Sequence, residues 1–379
     1  MDSCDILIIG GGPAGSSCAW TLRHSGLDVA ILDQRTFPRD KVCGGWITPG
    51  VLAKLDIQPE EYARGRILQP IASFRTGIIA ENGPGSARFS HDACLDTDYG
   101  NPVSYGIRRR EFDDYLLRRS GARLLLGVPL SSLEYRDREW IVNGRIRARM
   151  LVGAGGHFCP VARFLGAKTA AESAVVARET EFEMDPQQIA GCQVRADRPE
   201  LYFCADMKGY GWCFRKHNVL NVGLGRADPH ALSSHSANFL AFLKASGRLA
   251  FDAPAFHGHA YLLYGTSSRN LDADGVLLAG DSAGLAYAQS GEGIFPAVES
   301  GILAANVILQ ANGNYGREQL RDYRRNLTAQ MGNPERDWIT RIGRLLPAPW
   351  IGSLARRLFH SRWFVREVVL DRWFLHQPV

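Results

Sequence analysis

The 379-residue sequence predicts an α/β fold: a Rossmann-like nucleotide-binding domain, an inserted and mostly antiparallel β-sheet domain, and a C-terminal helical segment. Three observations lead there. An apolar run, Ile6 to Ile9, enters Gly10, Gly12 and Gly15 at G-x-G-x-x-G spacing. Two further apolar strands, Leu151–Gly156 and Gly275–Asp281, also end in glycines but stand far downstream. Strand-like stretches near 69–92 and 174–265 interrupt the α/β pattern, so the nucleotide domain is discontinuous.

The first element is the most specific. After the glycines come a helix-like segment, Ser16 to Ser25, and a second apolar strand, Val29 to Leu32, closed by Asp33 18 residues after Gly15. A bare glycine pattern is weak evidence; the strand–turn–helix–strand–acid order confirms it. Gly10 permits the tight turn, Gly12 lets backbone approach a pyrophosphate, and Gly15 lets the helix pack on the strand. Pro13 and Ala14 lie within this turn, and the helix that follows presents free N–H groups to phosphates. Asp33, with Gln34 beside it, is placed for a ribose hydroxyl and repels a 2′-phosphate, which leaves FAD or NAD as the occupant.

Lys41–Gly50 is a Gly/Pro-rich loop followed by a short helix. Residues 69–92 alternate like strands, with Asn82-Gly83-Pro84-Gly85 as a turn. Tyr105–Ser120 reads as helix, because Arg109, Phe112 and Leu116 recur at helical spacing. Residues 174–225 end in a hairpin whose arms, Trp212–Phe214 and Leu220–Val222, flank a turn at Lys216–Asn218. A long helix then carries Ile294, Val298, Gly301, Ala305 and Ile308 on one face.

Composition, 45% hydrophobic and 22% charged, is that of a globular protein. No run of 18 consecutive apolar residues occurs, and a sequence that opens directly on a strand leads to the expectation of no secretory signal. Eight cysteines lack metal-ligand spacing, and most are expected reduced and buried, which suits a cytoplasmic protein. His257 and His259 stand without a third ligand, so no metal is expected. Net charge is +5, concentrated in residues 314–379, where 12 Arg face 6 acidic residues and Trp338, Trp350, Trp363 and Trp373 cluster. Arg341, Leu345, Leu346, Trp350, Leu354, Leu358 and Phe359 suggest amphipathic helices broken at Pro347 and Pro349. The bland reading of this tail is a helical cap; the sharper one is a lid that also rests peripherally on a membrane. No nucleic-acid partner is expected.

Four segments together resemble the FAD-dependent oxidoreductases of the aromatic-hydroxylase fold: Gly10–Gly15, the Arg109-x-x-Phe112-x-x-x-Leu116 helix, the glycines at 153–156, and Gly280-Asp281 with Gly291-Glu-Gly-Ile294. Two motifs narrow the resemblance to the geranylgeranyl reductases: Lys41-Val-Cys43-Gly44-Gly45 and Tyr210-x-Trp212-x-Phe214. The resemblance implies non-covalent FAD, with Arg109 contacting its phosphates or the adjoining loop and Asp281 bonded to its ribityl or pyrophosphate region. It implies that Gly291, Gly293 and Ile294 open a helix facing the flavin pyrimidine edge. There a helix N-terminus stabilises negative charge on the reduced ring. Cys43, Gly44 and Gly45 would lie near the isoalloxazine, with Tyr210 and Trp212 on the substrate side. Cys43, Tyr210 and Trp212 are the catalytic candidates. The implied domains are 1–68, 100–170 and 269–313 for FAD, 69–99 and 171–268 for substrate, and 314–379 as the cap. Arg215 stands where the signature has proline, and Gly155 where many relatives have aspartate.

The implied activity is reduction of carbon–carbon double bonds in a prenyl-like or other apolar small molecule. The alternatives are an FAD monooxygenase or halogenase acting on an aromatic or carrier-bound substrate, and a non-catalytic flavin-binding protein. With no second G-x-G-x-x-G, the reductant must dock transiently, as NAD(P)H, or be an electron-donor protein.

Overall fold

The computed structural model describes residues 2–79, 94–167, 172, 174–228, 230–332 and 357–376. The turn expected at Asn82–Gly85, and Arg341, Leu345, Leu346, Pro347, Pro349, Trp350 and Leu354, lie outside the described residues.

The first sheet is parallel at its centre. Strand Asp2–Ile9 sits between Val29–Asp33 and Ile146–Gly153, with Arg123–Leu126 beyond the former and Val276–Leu278 beyond the latter. Its central strands are almost continuously buried, as expected of a sheet covered on both faces. Helix Pro13–Leu22 begins where the glycine turn ends, with proline in its first turn, where no N–H is needed. It packs against Ile294–Ala311. Gly15 makes the turn compact: a Cβ there would stand 1.9 Å from the Gly10 carbonyl oxygen. Helix Ile294–Ala311 is long and apolar enough to cross a membrane by length and composition, but most of it is buried within the protein as a core helix. The face expected for it, Ile294, Val298, Gly301, Ala305 and Ile308, is buried.

The second sheet orders its strands His257–Tyr261, Val175–Glu183, Val219–Arg226, Gly209–Lys216, Glu200–Cys204, Ser73–Ile79 and Leu95–Asp98. All neighbours are antiparallel except Glu200–Cys204 with Ser73–Ile79. The α/β class with a mostly antiparallel insertion is therefore the observed architecture. One local expectation fails. Ser104–Ile107 is a strand, paired with Trp46–Ile47 and Leu68–Ile71, and the helix starts only at Arg109. The apolar spacing of a single turn does not distinguish a strand end from a helix start.

The last described segment, Arg357–His376, includes a wide-turned helix, Phe364–Phe374. Phe359, Val365, Val369, Leu370 and Phe374 pack with Phe74, Phe203 and Trp212 over the second sheet. A helical C-terminal segment is present, and its last described stretch packs on that sheet.

Candidate functional site

One cavity of about 670 Å³ runs from the carboxyl end of the parallel sheet to the inner face of the second sheet. This is where open α/β sheets place their ligands. Gly10, Gly12, Pro13, Ala14, Asp33, Gln34, Cys43, Gly44, Gly45, Arg109, Tyr210, Trp212, Asp281, Gly291, Gly293 and Ile294 all line it. Gly15 does not; it acts behind the wall, in the packing just described.

At the nucleotide end, Asp33 does more than face the cavity. Its Oδ2 accepts the Gly11 N–H (2.8 Å) and its Oδ1 accepts the Arg35 N–H (2.8 Å), so the carboxylate ties the glycine turn to the next loop. The backbone at Gly12 is open toward the cavity, since a Cβ there would meet only the Arg39 guanidinium, at 3.6 Å. That open backbone leads into the N-terminus of Pro13–Leu22, the donor array a pyrophosphate requires.

The middle of the cavity is rich in cations. Arg109 lies buried and forms a two-point ion pair with Asp113, 2.8 Å at each contact, and Arg39 reaches the same carboxylate at 3.2 Å. Burial opposes the Arg109 charge, but Asp113 and the Cys43 sulfur beside it raise its pKa. Lys41 Nζ lies 2.7 Å from His259 Nε2, and His259 Nε2 lies 3.7 Å from Asp281 Oδ2. Burial pushes Lys41 down to about 8, although Asp281 works the other way. Burial also lowers His259. For Asp281, burial favours the neutral form, but His259, Lys41 and Arg109 outweigh it and hold the carboxyl below its usual range. The set fits a cofactor with a pyrophosphate and polyol chain: surplus positive charge, an ionised acceptor and exposed backbone N–H groups.

At the far end, Gly293 caps helix Ile294–Ala311 with its N-terminus at the cavity wall. Here the Tyr210 hydroxyl donates to the Ser290 carbonyl, and Trp212 Nε1 donates to Asn221 Oδ1 (2.7 Å). Gly44 lies so close to Trp212 and Phe214 that a Cβ would contact both rings. The two motifs singled out in the sequence are therefore one structure: the Lys41–Gly45 loop lies on the Tyr210–Phe214 strand. Arg215 does not end that strand, which pairs on through Lys216. Trp46 stacks on Phe374 (centroids 5.2 Å apart, planes 13° apart), so the C-terminal segment supplies a wall of the site.

Several lining residues escaped the sequence reading. In the sequence His259 suggests at most a metal ligand, and Lys41 stands only as part of the Lys41–Gly45 motif. Tyr261, His157 and Phe374 carried no motif. Glu179 did leave a signal: strand period places it on the face of Val175 and Ala177, an acid in a core-facing register.

Comparison with known proteins agrees with this geometry. The family described as FAD dependent oxidoreductase matches residues 5–93. Among relatives, "Menaquinone reductase" of Mycobacterium tuberculosis is 27% identical over 329 residues, covering 81% of this chain and 77% of that one. "Digeranylgeranylglycerophospholipid reductase 2" of Methanosphaera stadtmanae is 25% identical over 339 residues, covering 85% and 82%. Among solved structures, a geranylgeranyl bacteriochlorophyll reductase-like protein of Thermoplasma acidophilum superimposes with TM-score 0.71 at 22% identity, covering 95% of this chain and 88% of that one. Halogenase PltM, solved with FAD, gives 0.69 at 20% identity, covering 86% and 73%. Fold, cavity and relatives define an FAD-dependent oxidoreductase. Within that class the chain is similar to reductases of geranylgeranyl groups.

Proposed function

We propose that the chain uses FAD to reduce carbon–carbon double bonds in a prenyl-like or similarly apolar substrate. The observation that carries this reading is the wall of the cavity's far end. Beyond Cys43 it is built from Trp46, Ala177, Tyr210, Trp212, Phe214 and Phe374, an apolar and aromatic lining with few polar groups. The names of the two relatives, both reductases and one of a digeranylgeranyl lipid, support it.

In this reading residues 1–68, 100–170 and 269–313 hold FAD, 69–99 and 171–268 receive substrate, and 314–379 close the site. Bound and reduced, FAD supplies a hydride to one alkene carbon. The protein does the rest. The Gly10–Gly15 turn and the helix behind it hold the pyrophosphate, with Arg109 and Lys41 as counter-charges. Asp281 accepts hydrogen bonds from the polyol chain. The N-terminus of Ile294–Ala311 favours negative charge on the reduced ring. Tyr210 and Trp212, each fixed by a hydrogen bond, keep the substrate pocket's shape and exclude water. Reducing equivalents arrive from NAD(P)H or a donor protein. The exposed residues of the last described stretch include Trp363 (67% exposed), Leu358, Arg357, Arg362 and Arg366, with Glu367 among them, a composition suited to drawing an apolar substrate from a membrane surface.

The experiment is anaerobic reduction of the holoenzyme, followed by reoxidation with polyprenyl alkenes or, separately, with oxygen and an aromatic substrate. Fast reoxidation by the alkene supports the reading. Reoxidation by oxygen alone, with hydroxylated or halogenated product, supports the monooxygenase or halogenase reading that the PltM-like fold keeps open.

A further inference from the structure

Alkene reduction needs a proton as well as a hydride, and Cys43 is one candidate to give it. Its sulfur receives the Gly45 N–H (3.5 Å) and lies beside the Arg109 guanidinium, so its neighbours are donors. The carboxyl of Glu179 is arranged the other way. Glu179 comes from strand Val175–Glu183, is buried and lines the cavity beside the Cys43 loop. Its Oε1 accepts the Cys43 N–H, which ties it to the loop nearest the substrate pocket. Its Oε2 is buried with no hydrogen-bond partner within reach among the described residues. A neighbouring donor, the Asn221 amide, gives its N–H groups to the Cys43 carbonyl (3.1 Å) and to Glu181 Oε2 (3.3 Å), while its oxygen takes the Trp212 N–H. The cation that acts on it, Lys216, is held by Glu181 Oε2 (2.7 Å) and the Ile107 carbonyl (2.8 Å). The Asn221 amide, shared among these acceptors, gives Glu179 only a weak contact, and Lys216 is held by others. A bare carboxylate oxygen left that way is costly, and a protonated one is not.

We propose that Glu179 is the proton donor of the reaction. This rests on the alkene-reduction reading. The Glu179 O–H bond breaks and its proton forms a C–H bond at one alkene carbon. The π bond breaks, and the other carbon takes the hydride from reduced FAD. Glu179 is left as a carboxylate and regains its proton from water between turnovers. Burial, set against the Cys43 N–H and Lys216, raises its pKa to about 7, close to the value an acid working at neutral pH needs. Glu181 on the same strand raises it further. Across the neighbouring strand stands His257, which is exposed, and farther along the cavity stand Lys41, His259 and Asp281.

The test combines Glu179→Gln with two readouts on FAD-loaded protein. The first needs no substrate: infrared difference spectra between pH 6 and pH 9, where a carboxylic C=O band that disappears with rising pH in wild type is absent from the variant. The second is reoxidation of the reduced holoenzyme by a polyprenyl alkene and, separately, by oxygen. The proposal expects a loss of about 10²-fold or more with alkene, the scale of general acid catalysis, near-unchanged FAD content and oxygen reactivity, and loss of the wild-type decline above about pH 7. An ionised Glu179 at pH 6, or a variant as fast as wild type with alkene, overturns it. If no alkene reoxidises even the wild type, the alkene reading fails first and the transfer step falls with it. The infrared band then still reports whether Glu179 holds a proton.

Discussion

Asp33→Ala is the most informative single change in the nucleotide half of the cavity. From the sequence, Asp33 is a ribose ligand, and its loss should affect cofactor binding alone. In the structure it is also a tether, accepting the Gly11 N–H and the Arg35 N–H at 2.8 Å each. The first bond is buried and the second partly so. A hydrogen bond to a charged group contributes about 1.5–3 kcal/mol, and an orphaned buried N–H costs a similar amount. The partly buried bond to Arg35 adds less, so the apoprotein should lose about 2–4 kcal/mol, before any cofactor contact is counted. Urea unfolding of apo wild type and apo variant, with equal slopes, measures this directly. FAD titration then gives the additional loss from the ribose. An apoprotein as stable as wild type would refute the tether, and unchanged FAD affinity would remove Asp33 from the site.

Three further outcomes follow from particular contacts. Asp281→Ala should weaken FAD binding by about 1–3 kcal/mol, read by FAD retention on dilution; full retention would place the carboxylate outside the site. Gly15→Ala should yield protein that fails to load FAD or fails to fold, because its Cβ would stand 1.9 Å from the Gly10 carbonyl oxygen; a normal yellow holoenzyme would contradict that packing. The C-terminal face should bind anionic but not neutral vesicles in flotation, with added salt weakening it; no binding to either leaves the segment a cap alone.

The pH dependence of stability has a definite sign. Glu179 holds its proton more tightly in the folded protein, about 7, than at its ordinary 4.5. The folded state is therefore favoured at low pH, and this contribution is lost as pH rises from about 4.5 through about 7, by on the order of 3 kcal/mol. Glu179→Gln should flatten that part of the profile in apoprotein. An identical slope in the variant would assign the dependence to other groups.

The fold was legible because its signals are local. Gly10, Gly12, Gly15 and Asp33 mark one strand–turn–helix–strand unit within 24 residues, and strand endings at Gly153 and Gly280 repeat the theme. What the sequence hid is what depends on distant pairing. Nothing near Glu179 announces that strand His257–Tyr261 and the Cys43 loop close over it, or that Lys41 meets His259 across 218 positions. Asp33's tether to Gly11 was equally silent, because it links backbone to a side chain already assigned another task. Phe374 reaches the cavity only after the rest of the chain has built the sheet that it covers.

The central claim is that this cavity uses FAD to saturate a carbon–carbon double bond. The direct measurement is product analysis by mass spectrometry after the holoenzyme, with a reductant, has turned over a polyprenyl alkene under heavy-isotope oxygen. The account predicts product gaining two hydrogens per reduced double bond and no labelled oxygen. A product carrying labelled oxygen, or unchanged alkene alongside oxidation of the flavin by oxygen, would contradict it.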